Sequence, residues 1–391
     1  MFNVIPRPVQ ELYLNNGRSS AGEGIILYAD ISGFTSITES LLEHGKKGAA
    51  VLSGILNKVF SRTINEIYSS GGIVAEFEGD AIIAVFPASS PEAAYHAAAS
   101  LQRYFEREAI WKTDIGKWPV SVKLSLSYGQ VEWGIIGEHR LAHFIQGSAL
   151  EAAARTSAAS SAGTIGIHPG FSDLIWNKYG KLPDELTDTG VRREQLCLHR
   201  ILKRVASKFV SENVLSSRLT GEFRSVTPVF IDIRSKNDKD LRECVSFILS
   251  TASIYGGELN GLYCSNTDYA TALVLFGAPV SWENNTSRAF EFSQKVLDEL
   301  GNSIRAGISE GTVYAGITGS SQRCVYTVYG DTVNTAARLV SIAEYGEILV
   351  TEKAIGNQGQ RYTFSNSRRW LPGGNRTTFV SVDWTFLGRQ V

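Results

Sequence analysis

The succession strand, helix, hairpin, helix, strand occurs twice in this chain, roughly 200 residues apart, and no other feature restricts its fold as much. In the first half IILYADI (25–31) is a short apolar, β-branched run. Apolar residues at 52, 55, 56, 59, 60, 64, 67 and 68 then predict a helix within 35–70, closed by Gly71-Gly72. The hairpin GIVAEFEGDAIIAVF places Glu78-Gly79-Asp80 where two β runs meet. A small-residue helix follows from Pro91 to about Glu108, and VSVKLSLSYG (120–129) is the next strand. The second half repeats the order with VTPVFIDI (226–233), a helix over 238–254, a hairpin ending in ALVLFG (272–277), a helix at 283–300 and IRAGISEG (304–311). Hairpins mixed with crossover helices predict an α+β fold rather than a purely parallel sheet. The boundary between the copies is expected at 203/204, giving domains 1–203 and 204–391. HRILKRVASKFVSENVLSSRL, around that boundary, reads equally as a polar connector or as helix.

Each half of the 391 residues is long enough to bury a core of its own. Lys and Arg total 38 against 39 Asp and Glu, a net charge of −1, so no global field recruits nucleic acid or an anionic membrane. Any anionic ligand must be held locally. The four cysteines, Cys197, Cys244, Cys264 and Cys324, form no CxxC and suit reduced thiols, which points to a cytoplasmic protein. No apolar run approaches the ~20 residues of a membrane span, and the first residues lack the order of a signal peptide. His139, His143 and His168 show no metal-ligand spacing.

Residue chemistry singles out one constellation. Asp30 ends a buried strand and Asp80 sits at a hairpin tip; carboxylates at two adjacent strand ends can bridge a pair of Mg²⁺ ions. Between them Ile31-Ser32-Gly33-Phe34-Thr35 leads into a helix start, where free backbone N–H groups and the dipole favour a phosphate. Taken singly, Asp30 could be a helix cap and Asp80 a turn residue.

DISGFT, FEGDAIIAVF and YGDTVNTAARL resemble the motifs of class III nucleotidyl cyclase domains, and two unlike copies on one chain resemble the tandem core of the soluble, bicarbonate-regulated adenylyl cyclases. The likeness covers nearly the whole chain. It implies two cyclase homology domains with ferredoxin-like βαββαβ cores, packed head to tail with pseudo-twofold symmetry as a monomer, and one active site across their interface. It implies that ATP is converted to 3′,5′-cyclic AMP and pyrophosphate with two Mg²⁺ or Mn²⁺ ions. Asp30, Asp80 and the carbonyl of Ile31 would hold the ions, and Gly33, Phe34 and Thr35 would lie at the phosphates. Lys123 would meet the terminal phosphates and Thr327 the base. Asn334 would orient the ribose and Arg338 would neutralise the α-phosphate. A spacing of four puts Asn334 and Arg338 on one helix face.

The same resemblance marks departures. The lysine that partners Thr327 in the family falls on Gly261, and a one-residue slip would bring Asn260 to the base, with Glu258 nearby but out of register. In the symmetry-related pocket Asp232 survives, IRSKN replaces ISGFT, and Ala270 stands where a second Asp is expected. QGSALEAAAR puts Glu151 in place of Asn and leaves Arg155. Glu76 takes the place of the lysine of the bicarbonate pocket, where it would repel an anion. The second pocket is therefore expected to be degenerate, with little or no bicarbonate activation.

Overall fold

The structure is a computed structural model and describes residues 3–181, 201–216, 221–264, 268–356, 362–364, 369–370 and 378–383. Cys197 lies outside the described residues. Two compact units divide the chain. The first comprises Met1–Ile135, His143–Gly221 and Gly316–Thr327; the second comprises Ile136–Ala142, Glu222–Ala315 and Val328–Val391.

In the first unit the elements run α1 (Arg7–Leu14), β1 (Ser19–Ser32), α2 (Phe34–Leu42), α3 (Gly45–Ser69), β2 (Ile73–Glu78), β3 (Ala81–Pro87) and α4 (Pro91–Arg107). A small ribbon, β4 (Ile110–Thr113) and β5 (Gly116–Pro119), precedes β6 (Ser121–Gly137) and β7 (Leu141–Gln146). Then come α5 (Ser148–Ala159), β8 (Ile165–Ile167), α6 (Pro169–Tyr179), α7 (Lys203–Phe209) and α8 (Glu212–Leu215). The sheet order β2-β3-β1-β6-β7 puts β1 at the centre, antiparallel to both β3 and β6. That central place explains why IILYADI is nearly all apolar: both of its faces are covered. Ile25, Leu27, Ala29 and Ile31 are fully buried on one face. Ile26 packs on the other with Ile83, Val131, Ile145 and the α5 residues Ala149 and Ala153. Each Ile, Leu and Val among them contributes about 1.5–3 kcal/mol on removal from water.

The helix expected over 35–70 is two helices. Gly45 has φ 53, a left-handed conformation that breaks the rod while the apolar period runs on. Gly48 then lets α3 cross α2 closely, because a Cβ there would strike the carbonyl of Leu41. The stretch that reads as connector or helix contains helix in α7 and α8.

The second unit repeats the order with β9 (Glu222–Arg234), α9 (Asp238–Tyr255), β10 (Glu258–Cys264), β11 (Tyr269–Phe276), α10 (Asn285–Leu300) and β12 (Ile304–Ile308). The hairpin β13 (Gly311–Gly319) and β14 (Cys324–Tyr329) leads to α11 (Asp331–Ile342), β15 (Ile348–Thr351), α12 (Glu352–Ile355), β16 (Thr363–Phe364), β17 (Arg369–Trp370) and β18 (Thr378–Asp383). Its sheet runs β10-β11-β9-β12-β15-β18-β16, so its first four strands reproduce β2-β3-β1-β6 of the first unit. Gly307 of β12 admits α11, since a Cβ there would meet the Ala336 carbonyl and the Val340 amide. Asn237 caps α9 by accepting from the Asp240 amide at 3.1 Å.

Candidate active site

Strand register sets one row of side chains across the first sheet. Glu78 pairs with Ala81, Ala81 with Asp30, and Asp30 with Lys123, so one rung reads carboxylate, methyl, carboxylate, ammonium. Paired residues of antiparallel strands project to the same face. Asp80 is the second residue of the two-residue turn between β2 and β3, beside that rung, and Gly79 supplies the turn with φ 62. The Lys123 ammonium lies 3.0 Å from Asp30 Oδ2, with both side chains a little over one quarter exposed.

Past Asp30 the chain turns at Gly33, whose φ of 115 puts its α-carbon against the Pro119 carbonyl, where a Cβ would stand 2.5 Å from the oxygen. Gly33 precedes α2 without a side-chain cap, leaving the first turn to be satisfied otherwise. Phe34 is buried against Phe60, ring centroids 5.7 Å apart, and anchors that turn. Ile31 has a fully buried side chain, so only its backbone carbonyl can serve a ligand.

Crowding of like charge is the electrostatic mark of this rung. Desolvation, with Asp30 next in weight, pushes the Asp80 carboxyl up from 3.8 to about 6. Glu78 is raised as well, first by desolvation, although its hydrogen bond from Tyr28 works the other way. Tyr28, two residues before Asp30, donates its hydroxyl to Glu78 Oε2 at 3.1 Å. Carboxylates held close, with one ammonium among them, suit hard divalent cations, so the donor set fits Mg²⁺ or Mn²⁺. Among the described residues no three His, Cys, Asp or Glu side chains converge to cage a metal by themselves. The sequence reading missed Glu78 and Tyr28; the period of two that aligns them with Asp80 and Asp30 was the available signal.

In the second unit Asn334 and Arg338 stand one turn apart on α11, which starts at Asp331 after Gly330. The Arg338 side chain is exposed and makes no ion pair among the described residues. The corresponding helix of the first unit, α5, differs: Glu151 reaches Arg155 at 3.4 Å, an i,i+4 pair. An Asn at that position in α11 leaves its arginine unneutralised. Thr327 is buried on β14, within the segment Gly316–Thr327 that belongs to the first unit.

The equivalent rung of the second sheet reads Tyr263, Thr271, Asp232, Arg305. Here Asp232 is tied down on every side. Arg305 contacts its Oδ2 through Nε at 3.0 Å and Nη2 at 2.8 Å, and Thr271 donates to its Oδ1 at 2.7 Å. Arg305 also donates to the carbonyls of Ser341 and Ala343 at the end of α11, at 3.3 and 2.9 Å. Ala270, directly before Thr271, occupies the place Asp80 has in the first sheet. The retained Asp232 is a structural ion-pair partner.

Between Leu259 and Gly261 the pairing of β10 with β11 shifts, leaving Asn260 as the extra residue of a bulge. A Cβ on Gly261 would strike the Tyr263 hydroxyl and lie 2.5 Å from its Cζ, so the phenol fills the volume a longer side chain would need. Glu258 is engaged by Arg140 at 2.7 Å. Glu76 is 7% exposed, and its carboxyl is pushed well above the usual range by burial and then by Glu78, against a partial pull from Arg323. The Arg323 guanidinium is 2% exposed, lies 5.2 Å over the Phe77 ring and donates to the carbonyls of Asn3 and Cys324. Burial, followed by Arg323, drives the His143 imidazole from 6.5 down to about 3. His168 caps α6 by accepting from the Gly170 amide at 3.2 Å.

Residues 283–380 match the family of the adenylate and guanylate cyclase catalytic domain. The chain is 23% identical to human adenylate cyclase type 10, across 81% of this chain and 24% of that protein. It is 30% identical to the aggregation-specific adenylate cyclase of Dictyostelium discoideum, across 31% of this chain and 8% of that protein. The chain therefore spans about a quarter or less of the length of these curated relatives. Among solved structures, a class III adenylyl cyclase-like ATP-binding protein from Pseudomonas aeruginosa superposes with a TM-score of 0.57, at 12% identity, over 86% of this chain and 85% of that one. No helix among the described residues is long and apolar enough to cross a membrane. With a βαββαβ core in each unit and the motif residues on the elements just described, residues 283–380 match the adenylate and guanylate cyclase catalytic domain, and the chain resembles the adenylate cyclase type 10 proteins along most of its length.

Proposed function

We propose that this chain is an adenylyl cyclase that converts ATP to 3′,5′-cyclic AMP and pyrophosphate, built from tandem cyclase homology domains, 1–203 and 204–391, paired head to tail within a monomer. The observation that carries this reading is the carboxylate pair, Asp30 on a central strand and Asp80 on the adjoining turn, where burial first and Asp30 next raise Asp80 to about 6. Asp30, Asp80 and the Ile31 carbonyl hold two Mg²⁺ or Mn²⁺ ions, and the first turn of α2, from Gly33 through Thr35, receives phosphate oxygens. Bound divalent ions lower the pKa of the ribose 3′-hydroxyl and spread the charge of the leaving pyrophosphate. Lys123, on the strand beside Asp30, would meet the terminal phosphates. Asn334 orients the ribose of the same nucleotide, and Arg338 neutralises the α-phosphate oxygens as they gain charge. A bond forms between the 3′-oxygen and the α-phosphorus, the bond to the bridging oxygen breaks, and the hydroxyl proton passes to solvent. Thr327 meets the adenine.

Gly261 favours a second reading, a cyclase-like protein that binds nucleotide without turning it over, because the base position has no side chain and Tyr263 fills the volume beside it. Cyclic nucleotide formation from ATP and from GTP, with Mg²⁺ and with Mn²⁺, separates the two when run beside an Asp30→Ala protein. Product from ATP that disappears in the variant supports the cyclase. Nucleotide binding without product from either substrate supports the second reading, and comparable product from GTP means a relaxed base pocket.

A further inference from the structure

We infer that Glu78, held by the Tyr28 hydroxyl, is a positioning residue of the metal site whose charge adds to that of Asp30 and Asp80 and strengthens divalent-cation binding. This rests on the metal-binding reading of Asp30 and Asp80. Two pieces of geometry support it. Glu78 and Asp30 flank Ala81 in one rung, two strand spacings or roughly 10 Å apart at the backbone and projecting to the same face. Asp80 lies in the turn that joins Glu78 to Ala81, so the three carboxylates line the end of one three-stranded segment.

The second is the hydrogen bond that fixes Glu78. Tyr28 sits two residues before Asp30 on β1 and pairs with Ile83, two rungs from Ala81 and on the same face. From there its hydroxyl reaches over β3 to Glu78 Oε2 at 3.1 Å. A glutamate at a strand end usually extends into water, where its charge is screened. Glu78 is exposed too, but it is restrained by a phenol anchored in the central strand, on the side of the sheet that carries Asp30. No three acidic or imidazole side chains among the described residues converge to cage a metal, so Glu78 acts through the field and not as a direct ligand. The second unit supplies the internal contrast: Tyr263 stands where Glu78 does, and the Asp232 of that rung is neutralised by Arg305. An extra negative charge is present only on the rung whose aspartate lacks a guanidinium.

Mn²⁺ binding to the full chain, followed by the electron paramagnetic resonance signal of the free ion with no nucleotide present, tests this independently of activity. Glu78→Gln keeps the shape and can still accept from Tyr28, so the fold is preserved and only the charge is lost. Its Kd for Mn²⁺ should rise about tenfold at low ionic strength, the scale of one charge acting on a dication through a partly aqueous path. The difference should shrink in high salt. Glu78→Asp should bind near the wild-type level, and Tyr28→Phe, which frees the carboxylate without removing it, should fall between wild type and Glu78→Gln. A Glu78→Gln Kd equal to that of wild type, with Asp30→Ala still losing the ion, overturns the role of Glu78 and leaves the metal site standing. An Asp30→Ala protein that binds Mn²⁺ as wild type does, or a wild type that binds none, overturns the metal reading and this inference together.

Discussion

Arg305 grips Asp232 with two nitrogens on one carboxylate oxygen, at 3.0 and 2.8 Å, while Lys123 meets Asp30 through a single ammonium at 3.0 Å. Equivalent rungs of the two sheets therefore hold their aspartates differently. A guanidinium fixed by helix-end carbonyls cannot leave its partner, whereas a lysine on a flexible stem can. Asp232→Asn should lower stability by about 1–2 kcal/mol, seen as a lower Tm, because a partly buried charged contact is lost. Cyclic AMP formation per folded molecule should stay within about twofold of wild type, since the substitution lies away from the proposed chemistry. Asp30→Asn should do the reverse, abolishing product while leaving Tm unchanged or raised, as one of the crowded carboxylates is removed. Thermal melts beside product assays on both variants check the pair.

Arg338→Ala should lower kcat by about 10²–10³ without moving Tm by more than a degree or so, because an exposed side chain with a transition-state role carries rate and not stability. Arg338→Lys should recover only part of the rate, as an ammonium lacks the planar fork. Arg155→Ala, on the matching helix of the first unit, should change neither, its charge being already met by Glu151. A large drop in kcat for Arg155→Ala would mean that the two helices have been given the wrong roles.

Much of this could be read from residue order alone. Asp30, Asp80, Asn334 and Arg338 stand out because short motifs fix strand end, turn and helix face together. The duplicated order of elements needs only apolar periods. What escaped were facts of register and backbone. Gly45 splits the long helix while leaving its apolar spacing intact, so periodicity could not show the break. The bulge at Asn260 becomes visible only when β10 is laid against β11. The capture of Asp232 by Arg305 joins residues 73 positions apart, and nothing local to either announces it.

Gly261 and Tyr263 should be coupled. Gly261→Ala forces the phenol away and should cost about 1–2 kcal/mol, the range for overpacking a site with a movable neighbour. Tyr263→Ala should make the same substitution at 261 nearly free, so a double-mutant cycle should show coupling of about 1 kcal/mol. The double variant Gly261→Lys with Tyr263→Ala has room for a lysine and should raise the ATP-to-GTP ratio of product formation. Additive stabilities in the cycle would show that the ring does not occupy that volume.

Glu76→Gln should flatten the pH dependence of stability. In the unfolded chain this carboxyl titrates near 4.5, whereas burial and Glu78 raise it well above that in the native state. The folded protein therefore holds a proton that the unfolded chain has released, and the stability this gives is complete below 4.5 and lost as pH rises through the native value. His143 acts in the opposite sense: neutral in the fold down to about 3 but titrating near 6.5 when unfolded, it withdraws stability as pH falls below 6.5. Because both proteins contain His143, the difference between their Tm profiles isolates Glu76. The two curves should meet at about pH 4.5 or below and diverge above it, with the Gln variant increasingly the more stable. Parallel Tm profiles from pH 4 to 9 would show that Glu76 titrates in the native protein as it does in water.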